Sequence, residues 1–404
     1  MKKMIALVLC LAMALCLCAC GGTSIESYDD DNVEAADAAE TDAAEADGTD
    51  AAETANAELA APSYDLYPGD TVIGAVNGED VTWMEYYYWL NYYTLYVNQL
   101  AASYGVALSS WDACELSSTM TNAQVVDENA KISVIQHHVI QTKAQEMGIT
   151  LGEEEQAMVT QVFELNADSA SGDGDGVCTA EEAAAFELYL AEQYVDKAFF
   201  DYLNEISLLS EALFTHLYGE EGADCPEDEV LAYVEDNGIL SAKHILLLTK
   251  DMTTGEDLSE EEIAAKLATA EDLLAQLQAE TDLEAMVALF DELTAQYTED
   301  TGYVNYPEGY IFGEGEMVSE FEDAVKELDP DYGLSDIVES SYGYHIILRQ
   351  PIAAESSVGV DANGNTVTVR AAVASNLFNA DLTAWVDEAD ASWEDSIADG
   401  AVFG

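Results

Sequence analysis

The sequence predicts an α+β protein, in which a helical domain is joined to a smaller domain of strands and helices. Two patterns predict this class. Helical periodicity and helix-start signals recur from Thr82 to about residue 235, and from Leu240 the order becomes strand, helices, short strand, helix, strand, strand. With 404 residues, 49% of them hydrophobic, the chain is long enough to build two or more cores.

The charge balance restricts the classes of partner. Lys and Arg number 11 and Asp and Glu number 81, which gives a formal net charge of -70. Such a surface repels phosphate backbones and anionic lipids, so it argues against nucleic-acid binding and against membrane attachment through a basic patch. Cations and unfolded polypeptides remain as partners to consider.

Residues 1–20 have the pattern of a secretory signal peptide. Lys2 and Lys3 precede an apolar run that is too short to span a bilayer comfortably. The run closes with LCACGG, in which Cys20 follows a small residue, and this resembles the lipobox of bacterial lipoproteins. The resemblance implies lipidation of Cys20 and an anchor on the outer face of the cytoplasmic membrane. A cleaved signal peptide without lipid is the alternative.

Residues 21–67 are predicted to form an acidic, disordered tether, because they consist mostly of Ala, Asp, Glu, Ser and Thr and offer almost nothing for a core. Beyond the tether, the remaining cysteines are Cys114, Cys178 and Cys225. Their number and wide spacing do not fit a disulfide framework.

Residues 68–237 are predicted to form the helical domain. A short strand from Val72 to Val76 precedes an Asn-Gly turn, and Thr82 with Glu85 predicts a capping box at the start of a long helix. Further helices are predicted at about residues 123–147, 153–166, 180–218 with a break, and 227–235.

The first long helix carries an aromatic stripe. Tyr86, Trp89, Tyr93 and Tyr96 recur at spacings of three and four. Such a stripe is typical of core packing, but tyrosines in excess of the core could also form a surface that grips unfolded chains.

Two features of this domain raise the question of metal binding. His137 and His138 are adjacent, so on a helix they point about 100° apart and do not form an i, i+4 metal pair; we interpret them as structural or surface residues. Residues 171–182, SGDGDGVCTAEE, align with a calcium loop that uses Asp173, Asp175 and Glu182, although serine replaces the usual first aspartate. A solvated acidic loop is the alternative.

Residues 238–352 are predicted to form the second domain. SAKHILLLTK is a strand, Ser259 and Glu262 cap an amphipathic helix, and GYHIILR is the last strand. Period-two alternation places His345 on one face with Gly343 and Ile347. A histidine in such a buried strand is either a core residue with satisfied hydrogen bonds or a functional group.

Four motifs in this domain, KHILL, YTED, GEMVSEFEDA and SSYGYHIILR, resemble the parvulin family of peptidyl-prolyl isomerases in order and spacing. VNGEDVTWMEYYYWL, together with the lipoprotein signal, is similar to the PrsA-like extracytoplasmic foldases. The resemblance therefore implies a helical foldase domain into which a parvulin domain, a small antiparallel sheet flanked by helices, is inserted.

The resemblance also implies site residues. His244 and His345 match the facing histidines of the family, Asp300 matches an acidic position and Ser340 matches a hydroxyl position. Met317 and Phe321 match the apolar wall that receives the proline ring, and no cofactor is implied. The family's pocket leucine has no counterpart in the loop from Tyr306, so either Tyr310 or Phe312 is expected to take its place.

These features predict an anchored isomerase that helps secreted proteins with X-Pro bonds to fold. The alternative is a holdase chaperone whose parvulin domain is weak or inactive. Lys250 stands alone among acidic residues, which argues against a preference for phosphorylated chains.

Residues 353–404 are predicted to form a hairpin around Asn363 and Gly364 and then a last helix from about Leu382. Leu382, Val386, Ala389, Trp393 and Ile397 would form the apolar stripe of that helix. By similarity to PrsA-like proteins, this segment is expected to return to the helical domain.

Overall fold

The computed structural model describes residues 58–171, 174–361 and 364–403. The predicted signal peptide with Cys20 and most of the predicted tether lie outside these ranges, as do Asp173 and Asn363. The described chain forms two compact units, a helical unit of residues 58–216 and 378–403 and a second unit of residues 217–377. No helix in the described ranges combines the length and the hydropathy that a bilayer crossing requires.

The helical unit begins with a hairpin and continues with helices. Its elements are β1 (Val72–Val76), β2 (Glu79–Thr82), α1 (Trp83–Ser103), α2 (Asn122–Glu146), α3 (Glu153–Ser171), α4 (Ala180–Glu192) and most of α5 (Lys197–Tyr218). Asn77 and Gly78, both with positive φ, make the tight turn of the hairpin as the sequence predicts.

The aromatic stripe of α1 divides into two parts. Tyr86 is fully buried and Trp89 is 6% exposed, so the first half of the stripe belongs to the core of the helical unit. Tyr96, in the second half, is 48% exposed, and Tyr104, just after the end of α1, is 78% exposed. The first part confirms core packing, and the second part leaves aromatic surface in contact with solvent.

The start of α1 differs from the prediction. The Thr82 hydroxyl accepts a hydrogen bond from the Glu85 amide at 3.4 Å, but the reciprocal bond of a capping box is not made. The carboxylate of Glu85 instead lies 2.9 Å from Nε2 of His138 on α2. A buried hydrogen-bond partner therefore competes successfully with the local cap.

The last ten residues of the predicted tether are ordered rather than disordered. Pro62 accepts a hydrogen bond from the Tyr87 hydroxyl at 2.8 Å, and Tyr64 accepts one from Nε1 of Trp83 at 2.7 Å. Leu59 exchanges backbone hydrogen bonds with the side chain of Asn98. The prediction was wrong at residues 58–67 because the polar tips of α1 side chains satisfy their backbone.

The second unit combines a sheet with helices on both faces. Its elements are α6 (Glu227–Asp236), β3 (Leu240–Leu248), α7 (Glu260–Ala279), α8 (Leu283–Tyr297), β4 (Tyr310–Phe312), α9 (Ser319–Glu327), β5 (Leu334–Glu339), β6 (Gly343–Arg349), β7 (Ser357–Val360) and β8 (Thr366–Thr368). The four-stranded antiparallel sheet has the order β4-β3-β6-β5, and β7 and β8 form the predicted hairpin.

The two faces of the sheet bury different side chains. Ile245, Leu247 and Ile346 pack with α7 and α8, whereas Ala242 and Ile347 pack with α9. This is the alternation that the sequence predicts for β3 and β6, and it places His345 on the α9 face.

The C-terminal segment differs from its prediction. The last helix, α10, spans Val369–Glu388, and Trp393 lies in a strand, β9 (Ala391–Trp393), which pairs with β1. Asn77 makes hydrogen bonds to Asp390 at 2.8 and 3.0 Å. The predicted helix through Ile397 was wrong because pairing with β1 outweighs the local helical preference.

Candidate active site

The strand register brings the two predicted histidines together. Leu246 of β3 pairs with His345 of β6, and His244 pairs with Ile347, so both imidazoles project from the α9 face of the sheet on neighbouring strands. Their ring centroids are 5.1 Å apart with planes inclined by 17°. His345 is 3% exposed, and the side chain of His244 is 11% exposed.

A chain of hydrogen bonds runs through the pair. Nδ1 of His244 lies 2.9 Å from Nδ1 of His345. At one end, Nε2 of His244 lies 3.0 Å from Oδ2 of Asp300, and at the other end, Oγ of Ser340 lies 2.7 Å from Nε2 of His345. The four residues for which a catalytic role was predicted are therefore in contact with one another.

The ends of this chain fix the tautomers when both imidazoles are neutral. The ionised carboxylate of Asp300 only accepts, so Nε2 of His244 must carry a proton and Nδ1 of His244 accepts. His345 then donates from Nδ1 and accepts at Nε2, where Ser340 donates its hydroxyl proton. The donors thus point in one direction, from Ser340 towards Asp300.

The titration properties of the site agree with this assignment. Burial by itself would raise the pKa of Asp300, but hydrogen bonds from His244, Tyr310 and the Gly302 amide outweigh burial and lower the pKa to about 2. Burial and, secondly, the neighbouring His244 lower the pKa of His345 to about 3. Asp300 is therefore ionised and His345 neutral at physiological pH.

An apolar wall lies against the histidines. The ring of Phe321 is 5.2 Å from that of His244 and 5.7 Å from that of His345, and Phe312 lies 5.8 Å behind Phe321. Met317 and Val338 are half-buried members of the same cluster. Phe312 is only 1% exposed, so it packs behind Phe321 and not at the surface of the wall.

The loop before α9 is held in place by a buried carboxylate. Oε2 of Glu322 accepts a hydrogen bond from the Gly315 amide at 2.9 Å, and Oε1 of Glu322 lies 2.7 Å from Nζ of Lys326. These contacts fix the backbone just before Met317. The sequence reasoning missed Glu322, although an acidic residue in the first turn of a helix is a known capping signal.

Tyr310, which is predicted to contact the substrate, also belongs to the hydrogen-bond network of the site. Its hydroxyl donates a 2.5 Å hydrogen bond to Oδ2 of Asp300, the same oxygen that His244 contacts. A Cβ atom at residue 302 would overlap this hydroxyl, so Gly302 leaves the space that the contact requires. No short motif predicts this contact, because Tyr310 begins β4 and Asp300 lies ten residues earlier in the chain.

The described residues of the candidate metal sites form no metal-binding group. His137 and His138 are both buried, and in the described residues no group of three His, Cys, Asp or Glu side chains could hold a metal ion. Glu182 accepts a hydrogen bond from the Thr179 amide at 2.7 Å as part of the capping box of α4. Asp175 accepts one from Val177, and Asp173 lies outside the described residues.

The fold and the paired histidines define a parvulin-type domain, and comparison with known proteins agrees. The family model of the PPIC-type PPIase domain matches residues 230–350. The peptidyl-prolyl cis-trans isomerase ESS1 of Saccharomyces cerevisiae is 30% identical over 135 residues, which cover 33% of this chain and 79% of that protein. The chain belongs to the parvulin, or PPIC-type, family of peptidyl-prolyl isomerases.

Within this family the chain is similar to the PrsA proteins. The foldase protein PrsA of Halalkalibacterium halodurans is 33% identical over 133 residues, and the match covers 32% of this chain and 32% of that protein. The match thus spans about a third of its relative. The crystal structure of PrsA from Bacillus subtilis aligns over 80% of this chain and 90% of that chain at 20% identity, with a TM-score of 0.21.

Proposed function

We propose that the protein is a membrane-anchored extracytoplasmic peptidyl-prolyl cis-trans isomerase that assists the folding of secreted proteins. The observation that carries the proposal is the contact between His244 and His345 beside the Phe321 ring. Anchoring rests on the lipobox resemblance at Cys20, and an unfolded secreted chain with X-Pro bonds is the substrate. A calcium site in the loop of residues 171–182 is proposed from the sequence alignment.

The reaction is rotation about an amide bond with a barrier of about 18–20 kcal/mol. The cis and trans forms of an X-Pro bond differ by only about 0.5–1 kcal/mol, so the enzyme has to speed interconversion rather than shift the balance. A site that strips water from the substrate carbonyl disfavours the planar, charge-separated resonance form. The twisted transition state is then bound more tightly than either planar form.

Each residue of the site has a role in this scheme. Phe321 and Met317 receive the proline ring. His244 is the more exposed imidazole, so it is the member of the pair that faces the substrate. Asp300 and Ser340 hold the two imidazoles in one tautomeric arrangement and thereby set the local field without a covalent step.

A proline-limited refolding reaction tests the proposal. The full chain should accelerate refolding, and His345→Ala should reduce kcat/KM by about tenfold or more, which corresponds to about 1.4 kcal/mol of transition-state stabilisation. Asp300→Asn provides a second variant with little change in volume. His216→Ala, at an exposed histidine of α5, is the matched control and should retain full activity.

The result that would contradict the proposal is equal acceleration by wild type, His345→Ala and Asp300→Asn. Acceleration that is absent from the wild type while aggregation of an unfolded protein is suppressed would support the second candidate, a holdase. The exposed aromatic end of α1 favours that candidate, because Leu95 is 59% exposed and Tyr96 is 48% exposed. Leu95→Ser with Tyr96→Ser should then abolish the suppression.

A further inference from the structure

A depression of about 220 Å³ opens in the helical unit, where β2 and the first turn of α1 meet α2 and α5. Glu79 and Asp80 at its edge are exposed, and Glu85 inside it is 7% exposed. His138 is equally buried and contacts Glu85 at 2.9 Å. None of the described residues that line the depression is Lys or Arg. The depression is therefore a site of concentrated negative charge with a polar interior.

Polar groups in its wall lack partners in the described chain. The hydroxyl of Tyr202 and Nδ1 of His138 are buried without a hydrogen bond, and the same is true of Nδ1 of His137 and Nε1 of Trp89 behind them. The Trp89 and His137 rings lie 5.0 Å apart, and His137 and Tyr202 lie 6.2 Å apart, so these groups are contiguous. Buried polar groups are almost always paired, and of these four residues Tyr202 and His138 line the depression, so a ligand that enters it lies next to their unpaired groups.

The arrangement favours an organic cation over a metal ion. In the described part of the chain no three acidic, histidine or cysteine side chains approach closely enough to hold a metal, so Glu79, Asp80 and Glu85 do not converge on one point. An elongated cation can reach carboxylates that are spread along a cavity. The rings of Phe199 and Tyr202 also line the depression and offer surface against which an aliphatic stem or a guanidinium group can pack.

We propose that this depression binds a lysine or arginine side chain of an extended client polypeptide. The proposal rests on the foldase function proposed above, because it takes the cation from an unfolded protein. The net charge of -70 draws basic segments towards the surface. Glu79 and Asp80 meet the incoming charge at the edge, and Glu85 with the Tyr202 hydroxyl meets it inside.

Peptide binding to the full chain tests the proposal. A labelled, proline-free unfolded peptide with a single arginine is compared with the same peptide carrying neutral citrulline, and Kd is measured by fluorescence anisotropy. Glu79→Gln with Asp80→Asn should weaken binding of the arginine peptide by about fivefold and leave the citrulline peptide unaffected. Glu85→Gln should remove most of the preference for arginine.

A variant with the same net charge controls for long-range attraction. Asp112→Asn with Glu154→Gln removes two exposed charges from the same unit outside the depression and should leave the arginine preference intact. Equal weakening by both double variants, or equal binding of the two peptides to the wild type, would overturn the proposal.

Isomerisation of a short X-Pro peptide, measured on the same proteins, separates this proposal from the proposed function. Activity should be unchanged in Glu79→Gln with Asp80→Asn. If the wild type isomerises the X-Pro peptide but binds both labelled peptides equally, the proposed arginine pocket is wrong and the isomerase function stands. Arginine preference without isomerisation by the wild type would contradict the isomerase function alone.

Discussion

At the scale of single residues, the histidine pair depends on what lies at its two ends. Asp300 accepts from both His244 and Tyr310 at one oxygen and from the Gly302 amide at the other. Ser340 contacts His345 at the opposite end. An ionised acceptor at one end and a hydroxyl donor at the other allow only one direction of hydrogen bonding through the neutral pair.

Tyr310→Phe tests whether the tyrosine positions Asp300 or binds substrate. Loss of the hydroxyl removes one of the hydrogen bonds that lower the pKa of Asp300, so that pKa should rise. We expect kcat for a short X-Pro peptide to fall by about threefold to tenfold with little change in KM, because one hydrogen bond to a charged group is lost. The pKa is measured by the pH dependence of the Asp300 carboxyl resonance in NMR spectra.

Tyr306→Phe is the matched control, since the Tyr306 ring lies 5.2 Å from that of Tyr310. It should leave both the pKa of Asp300 and kcat unchanged. If Tyr310→Phe raises KM and leaves kcat unchanged, the tyrosine binds substrate, as the sequence predicts, rather than positioning Asp300.

At the scale of elements, the C-terminal residues complete the helical unit. Ile397 is fully buried, its carbonyl accepts from Nζ of Lys131 at 3.2 Å, and the Gly400 amide donates to Asp127 at 2.9 Å. Gly74 allows β9 to approach, because a Cβ atom there would lie 2.6 Å from the Ser392 carbonyl oxygen. A strand and a tail from the end of the chain are thus part of the core around α2.

Ile397→Ala should destabilise the helical unit by about 2–4 kcal/mol, because it leaves a cavity in a packed core. Urea unfolding followed by tryptophan fluorescence measures the effect. All five tryptophans, Trp83, Trp89, Trp111, Trp385 and Trp393, belong to this unit. Met158→Ala, at a side chain 44% exposed on α3, is the control and should cost little. An unchanged midpoint in Ile397→Ala would contradict the role of the tail.

At the scale of the whole molecule, each unit buries a histidine that stays neutral. Burial and the neighbouring His138 lower the pKa of His137 to about 3 in the helical unit, and His345 has a similarly low pKa in the second unit. Below pH 6.5, the ordinary value, the unfolded chain binds protons that the folded chain does not. The corresponding stability is fully present above pH 6.5 and falls as the pH decreases towards 3.

The full chain should therefore lose stability on acidification from pH 6.5 to 4.5, by up to about 1.4 kcal/mol per pH unit for each histidine. Tryptophan fluorescence isolates the contribution of His137 to this loss of stability, because all five tryptophans belong to the helical unit. His137→Phe should reduce the pH slope of the helical unit by about one proton, whereas His216→Ala should leave it unchanged. A slope that persists in His137→Phe would show that His137 does not stay neutral.

The strands of the second unit and the residue types of its site could be predicted from the sequence, because alternation and the parvulin motifs are local patterns. The hydrogen bond from Tyr310 to Asp300 could not be predicted. It joins the first residue of β4 to a residue ten positions earlier, and it requires the space that Gly302 leaves. The secondary structure around Trp393 and Ile397 could not be predicted either. The helical spacing of apolar residues predicted a helix there, but Trp393 pairs with β1, which is more than 300 residues away in the chain.

The sequence by itself determined the family, the α+β class, the acidic charge and which histidines face one side of the sheet, because these depend on composition and short-range periodicity. The tertiary structure alone decided which atoms link the two histidines to Asp300 and Ser340, that Tyr310 joins them at Asp300, and where the chain end packs. These contacts join residues far apart in sequence, and their free energies depend on burial and on competing partners that a local pattern does not contain.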